Sequence, residues 1–182
     1  MSTCGEVLVQ LLEGYGIEVA FGIPGTHTIE LYRGLPATRI RHVTPRHEQG
    51  GGFMADGYAR VTGRPAACFT VSGPGALNIA TAMGQALQDS VPMLVISADN
   101  ARAQLGMGEG RLHDTEDLQA AMAQCSVWSH TLMSPAELPR VLARAFGIFR
   151  SERPGPVHLS IPIDVITAPA SDLDPDPWPS PT

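Results

Sequence analysis

Glu48 is the side chain best placed to do chemistry. It stands in TPRHEQGGGFMADGYAR (44–60), where an extended segment runs into Pro45 and a helical spacing of Phe53, Met54, Ala55, Tyr58 and Ala59 takes over. A carboxylate in the first turn of a helix is favoured by the free N–H groups and the positive end of the dipole there. That explains an acid at this point, but not the run Gly50-Gly51-Gly52 behind it. Each glycine weakens a helix by roughly 1 kcal/mol relative to alanine. Such a run is expected where something must approach the backbone closely. A carboxylate beside a ligand can accept a hydrogen bond or exchange a proton.

Two glycine-proline turns accompany it, Gly22-Ile23-Pro24-Gly25 and Ser72-Gly73-Pro74-Gly75, the second followed by Asn78. Each breaks an apolar segment. In an open parallel sheet ligands bind at the carboxyl ends of the strands, so loops 22–27, 45–48 and 72–78 are expected on one edge. A phosphate loop is disfavoured. GxGxxG is absent after the first strand, GxxxxGK[ST] is absent throughout, and Pro74 lacks an N–H that a phosphate would need. Ser72 precedes a sharp turn without the GxSxG of a hydrolase elbow. A plain tight turn stays open as the alternative for both.

The elements that must position these residues alternate. Residues 3–15 read as a helix, with Thr3 and Glu6 as a capping box. Residues 17–21 read as a strand, and Thr26 caps a helix running to Leu35. A strand over 39–43 leads to the Glu48 helix, which ends near Arg60. A strand over 66–71, a helix over 76–88 and a strand over 91–98 follow. Residues 100–114 are glycine-rich and irregular. A helix over 116–124, a strand over 126–133, a Ser134-capped helix to Ser151 and a strand over 156–161 complete the pattern. The central strands are continuously apolar, as in a parallel sheet covered on both faces. The expected fold is α/β, doubly wound, with a mainly parallel sheet and helices on both faces in a single domain, 1–166. Residues 167–182 carry Pro169, Pro175, Pro177, Pro179 and Pro181 and read as a linker or tail.

The 182 residues are 43% hydrophobic and 16% charged, enough for one sizeable core. The net charge of −6 without a basic cluster argues against a nucleic-acid partner. No apolar run reaches the ~18 residues of a membrane span, and no secretion leader is evident at MSTCGEVLVQ. Cys4, Cys68 and Cys125 fit free thiols in a reducing cytoplasm, with Cys68 in the core. The six histidines show no HExxH-type spacing, so no metal ligand is assigned.

FGIPGTHTIEL (21–31), RHEQGGGFMADGYAR (46–60) and SGPGALNIATAMGQALQDSVPMLVIS (72–97) together resemble the N-terminal pyrimidine-binding domain of thiamine-diphosphate enzymes, in the acetolactate synthase-like branch. The resemblance spans about 3–165. TCGEVLVQLLEGYGIE, GTHTIELYRGL and SHTLMSPAELP look most like the 5-guanidino-2-oxopentanoate decarboxylases of that branch. It implies that Glu48 hydrogen-bonds a ring nitrogen of the cofactor's aminopyrimidine and favours the imino tautomer, which activates the cofactor to attack a 2-oxo acid. It also implies that Gly73, Pro74, Gly75 and Asn78 wall the pyrimidine, that Gly22, Pro24 and Gly25 shape the reaction side, and that the glycines after Glu48 admit the ring. Thr26, His27 and His113 are the implied substrate contacts; helix-start and loop roles stay open for them. The branch often carries a Gln-containing stretch in this loop; from His113 on, this chain has none before Gln119. Asp114 and Glu116 there suit a substrate with a cationic end better than acetolactate synthesis does. The family holds its diphosphate through Mg2+ in a second domain bearing a GDG motif, which is absent here. The resemblance therefore implies a homodimer or homotetramer in which the diphosphate-binding domain of another subunit completes the site, and a chain inactive alone. A stand-alone pyrimidine-domain subunit and a non-catalytic α/β interaction module are the alternatives.

Overall fold

The computed structural model describes residues 2–151, 153–174 and 176. α1 (Cys4–Gly14) opens the chain behind the expected capping box: Thr3 N donates to Glu6 Oε2 at 2.8 Å and Glu6 N to Thr3 Oγ1 at 3.3 Å. β1 (Val19–Gly22) leads through a 3-10 turn (Thr26–Thr28) into α2 (Ile29–Gly34). Thr28, not Thr26, closes this turn: the Gly25 N–H donates to Thr28 Oγ1 at 3.1 Å. The helix expected through Leu35 is thus a 3-10 turn and a short α-helix. β2 (Arg41–Val43), α3 (Glu48–Thr62), β3 (Ala67–Val71), α4 (Pro74–Asp89) and β4 (Met93–Asp99) follow. α4 starts two residues earlier than its spacing predicts, because proline is well suited to a first helical turn. α5 (Leu118–Ala123) starts later than predicted, because Asp117 accepts from Ala120 N at 2.8 Å and caps it there. β5 (Trp128–Thr131), α6 (Leu138–Ser151), β6 (Pro156–Pro162) and α7 (Ile163–Ile166) complete the fold.

The strands form one sheet in the order β2-β1-β3-β4-β6-β5, every pairing parallel. Alternate strand residues serve opposite faces. Ala67 and Phe69 of β3, Leu94, Ile96 and Ala98 of β4, and Val157, Leu159 and Ile161 of β6 pack under α1, α2, α6 and α7. Val19 and Phe21 of β1, Cys68 of β3, and Met93 and Val95 of β4 pack under α3, α4 and α5. β1, β4 and β6 are buried throughout, whereas the edge strands β2 and β5 are partly open. The doubly wound α/β fold is the one expected.

Residues 168–170, within the stretch read as linker, are tied to the N-terminus. Cys4 N donates to the Ala168 carbonyl at 2.9 Å, Ala170 N donates to the Ser2 carbonyl at 3.0 Å, and Thr3 bridges Pro169. The first N–H groups of a helix need outside acceptors, and this segment supplies one. Pro175, Pro177, Pro179 and Pro181 lie outside the described residues.

The three glycines behind Glu48 do not share one purpose. A Cβ on Gly52 would stand 2.6 Å from Ala82 Cβ and 2.8 Å from Ile79 Cγ1, so this glycine lets α3 lie against α4. A Cβ on Gly51 would meet Pro45 Cγ at 3.0 Å. Around Gly50 nothing lies within 4 Å. Two of the three glycines, Gly51 and Gly52, thus admit protein atoms, whereas the space at Gly50 is open. Gly52→Ala should therefore lower stability by about 1–3 kcal/mol through overpacking. Gly50→Ala should raise it by up to about 1 kcal/mol through helix propensity. Paired denaturant titrations check this, and equal effects of the two substitutions would refute the assignment.

Candidate active site

Parallel pairing sends the ends of β2, β1 and β3 to one edge of the sheet as neighbours. Loops 22–27, 45–48 and 72–78 leave from these ends, and the site is built where they meet. His47 is the N-cap of α3: its Nδ1 accepts from Gln49 N at 3.1 Å. Glu48 is the first helical residue and half-buried. Asn78, one turn into α4, donates from Nδ2 to Glu48 Oε2 at 2.9 Å. A Cβ on Gly75 would stand 3.7 Å from Glu48 Oε1 and 2.7 Å from Val71 Cγ2. Phe21, Gly22, Pro45, Gly51, Thr70 and Ile79 close a narrow apolar crevice around the carboxylate. The contact between α3 and α4 is fixed from below by Arg60, which reaches Asp56 Oδ1 at 2.5 Å and Asp89 Oδ2 at 2.6 Å.

The turns tolerate no side chains at their glycines. Gly73 has φ +55°, and a Cβ there would stand 2.7 Å from the His113 carbonyl oxygen. On Gly22 a Cβ would meet the Phe69 carbonyl oxygen and the Tyr32 hydroxyl, both at 2.6 Å; on Gly25 it would meet Val71 Cγ1 at 2.6 Å. The requirement is steric, against backbone at Gly73 and Gly22 and against the Val71 side chain at Gly25. Pro24, Thr26 and Pro74 are exposed.

The irregular segment after β4 folds back over these turns. Ser72 Oγ donates to the His113 carbonyl at 3.3 Å, and Asn100 Nδ2 donates to the Leu112 carbonyl at 3.1 Å. His113 sits at φ +57°. Its ring meets that of His27 edge to face, with centroids 5.8 Å apart. His27 is only 5% exposed, and Nδ1 of each ring is buried without a hydrogen-bond partner. One oxygen of Asp114 is likewise buried and unpartnered. Burial, then the neighbouring His113, pushes the His27 pKa down, while Asp99 and Asn100 pull the other way. Burial pushes the Asp99 carboxyl up, against hydrogen bonds from Asn100, Ser160 and Ser72. Asp99, Asn100, Thr70 and the capping role of His47 were not picked out from sequence. The apolar run of β4 hid the first two at its end, and only the register across β3, β4 and β6 reveals that they are gathered.

The sequence-predicted residues therefore fall into two groups. Glu48, Asn78 and Gly75 meet around one carboxylate. His27 and His113 meet at the next loop, joined to the first group through Gly73. Among the described residues no group of three or more His, Cys, Asp or Glu side chains could hold a metal ion. No helix among them is long and apolar enough to cross a membrane. Cys4, Cys68 and Cys125 are free, and burial pushes the Cys4 and Cys68 thiols up to about 12.

A family model for "Thiamine pyrophosphate enzyme, N-terminal TPP binding domain" matches residues 2–127. The chain belongs to this family. A probable 2-ketoarginine decarboxylase, AruI, of Pseudomonas aeruginosa is 58% identical over 169 residues, covering 93% of this chain and 30% of that protein. The large subunit of acetolactate synthase isozyme 1 of Escherichia coli is 40% identical over 167 residues, 91% of this chain and 29% of that one. The chloroplastic acetolactate synthase of Arabidopsis thaliana is 36% identical over 161 residues, 88% of this chain and 24% of that one. The thiamine pyrophosphate enzyme domain described here thus spans less than a third of the length of these relatives.

Two buried histidines give this domain an acid sensitivity of definite sign. Burial lowers the His158 pKa to about 3, and His27 shifts in the same direction. Between about pH 6.5 and 3 the unfolded chain binds protons that the folded chain refuses, so stability is present above pH 6.5 and lost as pH falls. Asp99, whose pKa is raised, opposes this only at the acid end. Denaturant titrations from pH 7.5 to 5 should show stability falling with a slope approaching about 1.4 kcal/mol per pH unit for a fully shifted histidine. A flat profile would contradict this account.

Proposed function

We propose that this chain is the pyrimidine-binding portion of a thiamine-diphosphate-dependent 2-oxo acid decarboxylase, with Glu48 as its catalytic carboxylate. The observation that carries the reading is the pairing at Glu48. Asn78 donates to Oε2, and Oε1 lies 3.7 Å from where a Cβ on Gly75 would stand. The residues fit an aminopyrimidine: a half-buried carboxylate held through Oε2 by Asn78 stands beside the Gly73-Pro74-Gly75 turn with its exposed proline, and Gly22, Pro24 and Gly25 would shape the reaction side. Bound there, thiamine diphosphate supplies an electron sink for the carbanion left when a 2-oxo acid loses carbon dioxide.

Each residue has its task. Asn78 holds the Glu48 carboxylate in one orientation, so that Oε1 can share a proton with a ring nitrogen. The apolar crevice keeps water from competing for that proton. His27 and His113 each bring a buried, unpartnered Nδ1 that can satisfy polar atoms of a 2-oxo acid entering beside exposed Thr26. Asp114 and Glu116 favour a substrate whose far end is cationic, in keeping with 58% identity to a probable 2-ketoarginine decarboxylase. Mg2+ and the diphosphate would be held by a diphosphate-binding domain of a second subunit, in a homodimer or homotetramer. Three free thiols support a reducing, cytoplasmic setting. A second reading, carboligation by an acetolactate synthase, is favoured by the 40% and 36% identical relatives.

In the full-length enzyme, Glu48→Gln should lower kcat by about 10²–10⁴, the usual worth of one positioned proton-transfer group. Wild-type turnover in that variant would rule out the assignment. A guanidino-bearing 2-oxo acid should exceed pyruvate in kcat/KM. Asp114→Asn should erode that preference by about 10- to 100-fold, as expected for loss of a hydrogen bond to a charged group. A preference for pyruvate with acetolactate as product would instead support the second reading.

A further inference from the structure

On the α3–α4 side of the sheet the packing changes character partway along the strands. Cys68, Met93 and Val95 are apolar neighbours near the strand starts. From His158, level with Val95, to the carboxyl ends the same face also carries Thr70, Ser72, Ser97, Asp99 and Ser160, all buried. Four side chains form an unbroken chain across β5, β6, β4 and β3. Ser129 Oγ lies 2.9 Å from His158 Nδ1, His158 Nε2 lies 2.9 Å from Ser97 Oγ, and Ser97 Oγ lies 2.8 Å from Thr70 Oγ1. His158 and Ser97 are fully inaccessible. Its far end, Thr70, lines the same crevice as Glu48. The Thr70 Cβ lies 3.6 Å from where a Cβ on Gly75 would stand, next to Glu48 Oε1.

Burying these hydroxyls and an imidazole is costly unless each is paired, and four paired groups in series act as a unit. We propose that His158 is a positioning residue for the Glu48 site, acting through Ser97 on Thr70. This rests on the reading of Glu48 as the pyrimidine-contacting carboxylate. A neutral imidazole has one N–H and one acceptor nitrogen, so the chain has a direction. With the proton on Nδ1, His158 donates to Ser129 and accepts from Ser97, and Thr70 donates to Ser97. With the proton on Nε2, the sense reverses, and the Thr70 hydroxyl is released to donate elsewhere. Either way Oγ1 of Thr70 is pinned toward Ser97. The rest of this β-branched side chain is thereby fixed as the wall beside Gly75. Apolar packing alone would hold a valine there without defining which branch faces the ligand.

The test uses full-length enzyme and thiamine diphosphate affinity, measured by calorimetry with Mg2+ present, alongside kcat and KM. Ser97→Ala breaks the chain at its centre with little loss of volume, and Thr70→Val keeps the shape while removing the hydroxyl. Each should weaken cofactor binding about tenfold with KM for the 2-oxo acid nearly unchanged, and the double variant should cost little more than either single one. Thr70→Ser should bind within about twofold of the parent. Nitrogen chemical shifts of His158 should report a single neutral tautomer that is lost in Ser97→Ala. If Ser97→Ala and Thr70→Val both bind cofactor within twofold of the parent while Glu48→Gln is impaired, the positioning role is wrong and the function stands. If Glu48→Gln is unimpaired as well, both are wrong.

Discussion

Close approach of α3 to α4 is the constraint from which the site's geometry follows. The two helices start from strands separated by β1 in the sheet, and each brings one partner of the Glu48–Asn78 hydrogen bond. That bond reaches 2.9 Å only because Gly52 has no side chain to hold Ala82 and Ile79 away. Arg60 near the end of α3, bonded to Asp56 on its own helix and to Asp89 at the end of α4, closes the pair from below. A glycine that costs helix stability is here the residue that lets an amide orient a carboxylate. The energetic penalty and the chemical capacity are two consequences of one missing Cβ.

The sheet supplies the second half of the arrangement. Because all its pairings are parallel, its carboxyl ends share an edge, and loops far apart in sequence become neighbours without any long-range design in the loops themselves. The turns then need only be compact. At Gly22, Gly25 and Gly73 the backbone or side chains of an adjacent strand or loop stand where a Cβ would be, so these positions are closed to any other residue. Rigidity at the turns and two-sided burial of β1, β4 and β6 work together. The crevice around Glu48 is framed by parts with little freedom to relax.

Much of this was legible in the chain. Continuous apolar runs such as ACFTV and MLVIS announce buried parallel strands, and the capping box at Thr3 and Glu6 marks the start of α1. Glu48 was conspicuous because an acid and three glycines at a helix start are hard to justify by folding alone. What could not be read was anything set by register or by a third dimension. Gly50, Gly51 and Gly52 are identical letters with three different surroundings. Thr28 displaced Thr26 as the residue closing its turn because the 3-10 geometry puts its hydroxyl, not its neighbour's, at the Gly25 N–H. His158 sits in the run PVHLSIP, where the flanking residues read as plain core. Only its register opposite Val95, between Ser129 and Ser97, explains why an imidazole is stable there.

The polar stripe under the strand ends also changes how the two halves of the site should be viewed. Ser97 and Asp99 lie two apart on β4 and face the same way, as do His158 and Ser160 on β6. The first of each pair, Ser97 and His158, serves the chain that ends at Thr70, on the Glu48 side. The second of each pair, Asp99 and Ser160, meet each other, with Asn100, Ser72 and the buried His27 as the further neighbours of Asp99. The carboxylate group and the histidine group are therefore not two independent clusters set on a scaffold. They rest on one buried polar layer on the same face of β3, β4 and β6.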